Sequence, residues 1–404
     1  MMDPATIRDV VLNVREPVVL RDVEIPWFCF DQTLPEWLRL LDESSNTDGG
    51  GFSLDCGPRR NGRAPQWERL RGQIQKKMMD FYKESTASDN EYFREKWTSY
   101  SYRYINELPE ECRRGISFEC FGFPDITEDV SFWIGSRGAH TPCHYDTYGC
   151  NIVVQVHGRK RWLLFPPEAK LRRTRVPYEE SSVYCEENFY SPEAYSKVIG
   201  VENDAFHVVL EPGMALIVPP KWWHYVETLE FSLNFNTWIQ LENDPEEQIS
   251  ECFTRLIIQN YSEGLNFRNL NYMLNPNEVS SIASTSQEEL HSTLEYLLNQ
   301  RRRQSGKRQR TNHSRHPSNY MPMADQNQLL STHKDHIIPV RKLANHEFFQ
   351  LMKQNGQRYD PSRNRSSDDE EDNRLMACAI NRACDPQLIE MVKSCVEESI
   401  ELES

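Results

Sequence analysis

Apolar residues recur at three-to-four spacing early in the chain, at Leu34, Trp37, Leu38 and Leu41 and again at Trp67, Leu70, Ile74, Met78 and Phe81. Both sets predict helices. The stretch between them, NTDGGGFSLDCGPRRNGRAP, is rich in turn formers and reads as a loop. From Phe118 onward the rhythm changes to short β-branched and aromatic runs: SFWIG, NIVVQV, KRWLLF, FHVVL, MALIV, WWHYV and FSLNFNTWI. Turn formers such as Gly158, Pro166-Pro167 and Pro212-Gly213 separate them, which predicts a mainly β fold, an antiparallel sandwich or barrel with flanking helices. Pro245 to about Leu274 reads as a helix with Ile249, Cys252, Phe253, Leu256 and Ile257 on one face, able to close the barrel or to pack on a second copy as a homodimer. Beyond Asn275 the residues turn to Ser, Gln, Asn and Arg, and Ser280 to about Leu329 reads as a disordered linker with room for one short helix at SQEELHSTLEYLLNQ. Helical patterns return near Leu343 to Met352 and from about Pro386 to Val396. The expected organisation is a barrel domain over 1–241, a helical extension over 242–274 and a partly disordered, low-complexity tail over 275–404.

Composition sharpens that division. Eight of the nine tryptophans precede position 224 and the ninth is Trp238, so the core belongs to the first part of the 404 residues. The tail accounts for the modest 38% hydrophobic content and the mean hydropathy of -0.70. A formal net charge of -15 argues against coating nucleic acid by bulk charge. A local exception is RRRQSGKRQRTNHSR, with seven basic residues between Arg301 and Arg315 and no acid. It reads as a solvated linker, a nuclear-localisation signal at 301–310 or an RNA tether. SSDDEED, at Ser366 to Asp372, reads as a solubilising acidic stretch. The eleven cysteines contain no CxxC pair, which fits reduced thiols in a cytoplasmic protein. No stretch approaches the roughly 18 apolar residues of a spanning helix, so no membrane association is expected.

The chemistry concentrates in WIGSRGAHTPCHYDTYGCNIVVQVHGRKRWLLFPP, Trp133 to Pro167, and PGMALIVPPKWWHYVE, Pro212 to Glu227. His144 and Asp146 are two apart at the mouth of a predicted strand, so alternation puts an imidazole and a carboxylate on one face. His224, on a later strand, offers a second imidazole from across the barrel. Two imidazoles and a carboxylate on one face of a metal leave the opposite positions open, the arrangement of non-haem Fe(II) oxygenases. Trp222 and Trp223 are candidates to shield such a centre.

Taken in order, HTPCHYD, Asn151, GRKRWLLFPP, PGMALIVPPKWWHYVE and SLNFN resemble the JmjC family of Fe(II)- and 2-oxoglutarate-dependent oxygenases, in its hydroxylase branch. REPVVLR, at Arg15 to Arg21, is similar to the start of such domains, and the resemblance covers roughly Pro17 to Leu241. It implies a double-stranded β-helix, the jelly-roll or cupin-like barrel. It also implies His144, Asp146 and His224 as iron ligands, and Lys160 and Thr141 as the groups holding the distal carboxylate of 2-oxoglutarate. Asn151 and Asn234 would line the same site, and Tyr104 would complete the carboxylate pocket, with Tyr102 an equal alternative in register. Four residues, TYGC, separate Asp146 from Asn151 where relatives have three, which predicts a bulge and a shifted loop over the iron. Loops such as Arg173 to Pro192 would read the substrate. The implied reaction is hydroxylation of a C–H bond in a protein substrate. The resemblance also implies a small heat-shock protein as a partner, which leaves a scaffold role open. RNA is a further alternative, because one relative in that branch acts on a tRNA base. The absence of a zinc-binding cysteine cluster or a reader module makes histone demethylation the weaker reading.

Overall fold

The computed structural model describes residues 2–45, 51–62, 71–173, 182–193, 200–262, 286–310, 323–363 and 374–403. Helix α1 (Pro4–Asn13) starts where Asp3 accepts a hydrogen bond from Thr6 N and Pro4 takes the first turn, whose N–H would go unused anyway. Helix α2 (Leu34–Ser44) buries Trp37, Leu38 and Leu41, as the spacing predicts. The second predicted helix begins later than its pattern. Ile74 lies on a strand, only Met78 and Phe81 are helical, in α3 (Met78–Thr86), and Trp67 and Leu70 fall outside the described residues. The expected loop holds a strand as well, because Phe52, Leu54 and Cys56 alternate inward. Short helices α4 (Glu91–Glu95) and α5 (Glu110–Arg113) complete this flank.

Fifteen strands are described, in two sheets whose ladders are all antiparallel. They are β1 (Val18–Leu20), β2 (Phe52–Pro58), β3 (Gly72–Lys76), β4 (Lys96–Tyr104), β5 (Ser131–Gly135), β6 (His140–Asp146), β7 (Cys150–His157) and β8 (Lys160–Phe165). There follow β9 (Ser182–Tyr184), β10 (Phe206–Leu210), β11 (Ala215–Val218), β12 (Trp223–Thr228), β13 (Ser232–Ile239), β14 (Ile337–Pro339) and β15 (Arg341–Lys342). The large sheet runs β14-β1-β11-β7-β13-β5-β4-β2-β3 and the small sheet β15-β10-β8-β12-β6-β9. Between β5 and β13 the chain passes repeatedly from one sheet to the other, which winds the two into a double-stranded β-helix. Val153, Trp162, Leu164, Leu216 and Val226 fill one end of the space between the sheets. The outer face of the large sheet carries Ile152, Val154, Leu233 and Phe235, which share a core with residues of α1, α2 and α3.

The region after 275 differs from the expected tail. β14 pairs with β1 and β15 with β10, so this late segment extends both sheets and covers strand edges that would otherwise present unpaired N–H and C=O groups. Helix α9 (Asn345–Gly356) seals the outer face of the small sheet, with Phe348 and Met352 against Leu163, Phe165 and Tyr225. Strands of three and two residues are too short to show an alternation, which is why the sequence hides them.

Helix α6 (Asp244–Ser262) follows the barrel, and α7 (Gln287–Arg310) runs through the expected linker and into the basic run. Arg, Gln and Lys are good helix formers, and Leu290, Leu294 and Leu297 anchor α7 on Ile249, Phe253 and Leu256 of α6. Ile389 of α11 (Pro386–Glu403) joins the same cluster; α8 (Met323–Thr332) and α10 (Arg374–Ala383) complete the helices. The face of α6 read as able to close the barrel or to pack on a second copy is thus covered by α7 and α11 of this chain. SSDDEED lies outside the described residues.

Candidate active site

One end of the barrel holds a cavity of about 620 Å³ between the sheets. The small sheet supplies Thr141, His144 and Asp146 from β6, Lys160 and Trp162 from β8, Ser182 and Tyr184 from β9, and His224 and Val226 from β12. The large sheet supplies Asn151 and Val153 from β7, and Asn234, Asn236 and Trp238 from β13. Alternation explains nearly all of these positions, since they stand two apart on their strands. Thr141 and His144, three apart, are the exception. His224 pairs with His144 and Val226 with Thr141, so β6 uses three steps where β12 uses two. The extra residue falls at Pro142-Cys143, where proline has no N–H to lose, and this bulge turns Thr141 onto the same face as His144. The bulge predicted within TYGC is therefore displaced: residues 147–149 form the β6–β7 turn, with Gly149 at φ +78°.

His144, Asp146 and His224 converge, with one ligand atom from each within 4.8 Å of the others. His144 Nε2 lies 3.8 Å from Asp146 Oδ1, and His224 Nε2 lies 3.9 Å from Asp146 Oδ2. Each imidazole places Nδ1 against the carbonyl two residues earlier, His144 on Pro142 O at 2.8 Å and His224 on Trp222 O at 2.9 Å. A carbonyl only accepts, so each Nδ1 carries the proton and each Nε2 turns a lone pair toward its partners. Burial, and then the neighbouring His144, push the His224 pKa down, which keeps it in the neutral form a metal needs. Trp238 Nε1 donates to Asp146 Oδ2 at 2.8 Å and Ser182 Oγ to Oδ1 at 3.3 Å, orienting the carboxylate. Tyr184 stacks on His144 at 5.2 Å between ring centroids.

Opposite the triad, Lys160 is buried and no carboxylate partner is found for it among the described residues. Its pKa is pushed down to about 7 by burial alone. An ammonium left so is a standing demand for an anion. Asn151 Oδ1 accepts from Asn236 Nδ2 at 3.0 Å, and Asn236 Oδ1 accepts from Trp133 Nε1 at 2.7 Å, while Asn234 Oδ1 is buried without a partner. Tyr102 and Tyr104 both reach the cavity at its open side. Every site residue expected from sequence thus lines this one cavity. Trp222 and Trp223 do not: Trp222 Nε1 donates to Arg15 O, and Trp223 packs against Tyr145 on the outer face. Shielding falls instead to Trp162, Tyr184, Trp133 and Trp238. Asn236 and Trp238 were readable as the continuation of the Asn234 alternation, whereas the three-residue strand carrying Ser182 and Tyr184 gave no local signal.

A double-stranded β-helix with two imidazoles and a carboxylate at one end defines a metal-binding cupin-like protein. Residues 4–244 match the model of the cupin-like domain family, more than half of the chain, and the protein belongs to that family, in the JmjC group its motifs resemble. HSPB1-associated protein 1 of Bos taurus is 33% identical over 290 residues, covering 68% of this chain and 59% of that protein. The human protein of that name is 42% identical over 190 residues, 45% of this chain and 39% of that protein. The chain therefore spans well under two thirds of the length of these relatives. Lysine-specific demethylase JMJ30 of Arabidopsis thaliana is 32% identical over 137 residues, 33% of this chain and 30% of that protein. Among solved structures, YcfD, a ribosomal oxygenase from Escherichia coli, aligns with a TM-score of 0.32 at 18% identity, over 70% of this chain and 62% of that one.

Proposed function

We propose that the protein is an Fe(II)- and 2-oxoglutarate-dependent oxygenase that hydroxylates a protein side chain in the company of a small heat-shock protein. The observation that carries this reading is the pairing, in one cavity, of a His-Asp-His metal face with a buried lysine that lacks an anion. The donor set fits the metal: both imidazoles engage a backbone carbonyl through Nδ1, which leaves Nε2 as the ligand atom, and Asp146 is held by two hydrogen bonds. Fe(II) and 2-oxoglutarate, when bound, would activate dioxygen, the oxidant for both the C–H bond and the oxidative decarboxylation of 2-oxoglutarate to succinate and CO2. The chain's own residues do the rest. Lys160 and Thr141 hold the distal carboxylate, and Trp238 and Ser182 fix the Asp146 carboxylate. Asn151, Asn234 and Asn236 present amides across the cavity, and Tyr184, Trp162 and Trp133 exclude water. The heat-shock connection draws its support from the names of the relatives.

The test is to supply purified protein with Fe(II) and labelled 2-oxoglutarate and to follow succinate, beside a His144→Ala control. Succinate formation above the control is expected. Parity with the control in the presence of candidate protein substrates would leave the scaffold reading, in which the barrel binds a small heat-shock protein without chemistry.

A further inference from the structure

Resting on the proposed oxygenase reading, we infer that helix α6 is a positioning element of the metal centre. Asp244, Glu247 and Glu251, on one face of it, hold from outside the two segments that carry Asp146 and His224. At 3.6 residues per turn these acids, at i, i+3 and i+7, span about 60° of the helix surface. Ile249, Cys252, Phe253 and Leu256 lie on the other side, in the core shared with α7 and α11. Glu246 belongs to that second side, pairing with Lys393 of α11 at 3.0 Å and with Arg301 of α7 at 3.2 Å. The helix thus turns one face to the C-terminal helices and one to the barrel.

Each acid takes hold of a different point beside a metal ligand. Asp244 is buried, and its Oδ2 accepts from Leu241 N at 2.7 Å and from Gly149 N at 3.1 Å. Gly149 ends the turn that follows Asp146, and a Cβ there would come within 3.1 Å of the Trp238 Cβ. The turn therefore lies against the residue that orients the Asp146 carboxylate. Glu251, its side chain 9% exposed, accepts a hydrogen bond from Tyr148 of the same turn, and Tyr148 lines the active-site cavity. Glu247 pairs with Lys221 Nζ, and Lys221 N donates to Asp146 O at 2.8 Å. Lys221 stands three residues before His224 at φ +66°, a left-handed conformation uncommon for a residue with a side chain. This one residue joins the Asp146 backbone, the His224 segment and α6.

Metal affinity depends on such outer contacts, because they fix where the ligand atoms stand. Here the separations at stake are the 3.8 and 3.9 Å between Asp146 and the two Nε2 atoms. Glu247 and Glu251 lie past residue 244, where the match to the cupin-like family ends. Part of the metal geometry is thus set by a helix beyond the matched domain.

The experiment titrates the full chain with Co(II) alone, read by the visible absorption of the bound ion, beside urea midpoints. A charge swap separates geometry from field. Added positive charge weakens a nearby cation site and added negative charge strengthens it, so a field effect gives Glu247→Lys and Lys221→Glu opposite signs. The positioning role predicts that both lower Co(II) affinity about 5-fold and that the double variant, which reverses the pair, restores it. Asp244→Ala, which strands the Gly149 N–H, should lower affinity about 10-fold. Glu246→Gln is the control: it loses partners on the other side of α6, and should lower the urea midpoint while leaving Co(II) affinity unchanged. Opposite signs for the two single variants, no rescue in the double variant, or a loss for Glu246→Gln as large as for Glu247→Lys would each overturn the inference and leave the metal reading standing. A wild-type chain that takes up no Co(II) would remove both together.

Discussion

Two buried charges stand on opposite faces of the small sheet. Glu227, on the outer face of β12, accepts from Arg358 Nη2 at 2.5 Å, Arg161 Nη1 at 3.4 Å and the Tyr225 hydroxyl at 3.3 Å. Lys160, paired in register with Thr228 on the neighbouring strand, faces the cavity and has no such company. The chain satisfies the first charge from within, using an arginine that follows α9. It leaves the second for something that arrives. Burial is similar for the two, so the difference is one of purpose: an internally answered charge pins the fold, and an unanswered one marks a binding site.

The largest expected effect tests the satisfied side. Arg358→Ala should leave Glu227 buried with one weaker cation and lower unfolding stability by about 3 kcal/mol, read from urea titration. An unchanged midpoint would mean that Glu227 does not need the C-terminal segment. On the other face, Lys160→Met should leave stability level or higher, since a buried ammonium is removed. It should weaken 2-oxoglutarate binding about 30-fold, equivalent to about 2 kcal/mol, by isothermal titration. A loss of stability without a loss of affinity would reverse the two roles.

The smallest effect is a pH dependence. Without an anion, folded Lys160 loses its proton near pH 7, while the unfolded chain keeps it to about 10.5. The unfolded state therefore binds more protons between these values, and the ligand-free protein gains stability as pH rises through that window. Binding of 2-oxoglutarate needs the ammonium, so affinity should fall from pH 7 to 8, by at most about tenfold. An affinity that stays flat over this range, or rises, would show that Lys160 is not the anchor.

Much of the site was legible in sequence because its logic is local. His144 and Asp146 share a face through simple alternation, and the same alternation carries Asn234 on to Asn236 and Trp238. Thr141 is different: its odd spacing from His144 reaches the cavity only through the bulge at Pro142-Cys143, which depends on how β6 pairs with β12. The register between Tyr102 and Tyr104 was open for a similar reason, since a second bulge in β4 lets both reach the mouth. The late strands, α9 and the cover over α6 were hidden because their partners lie far away in the chain.

The sequence by itself determined the runs of the barrel, the chemistry of the metal face and the identity of the lysine opposite it. Periodicity and residue type act within a few positions, and a linear chain displays both. Only the tertiary structure decided which sheet edges the late segment covers, which face of α6 is occupied and which buried charge goes unanswered. These outcomes depend on contacts between residues tens to hundreds of positions apart, such as Ile249 with Leu290, Glu227 with Arg358 and Val18 with Pro339. No local pattern encodes them, because each exists only once the sheets have closed.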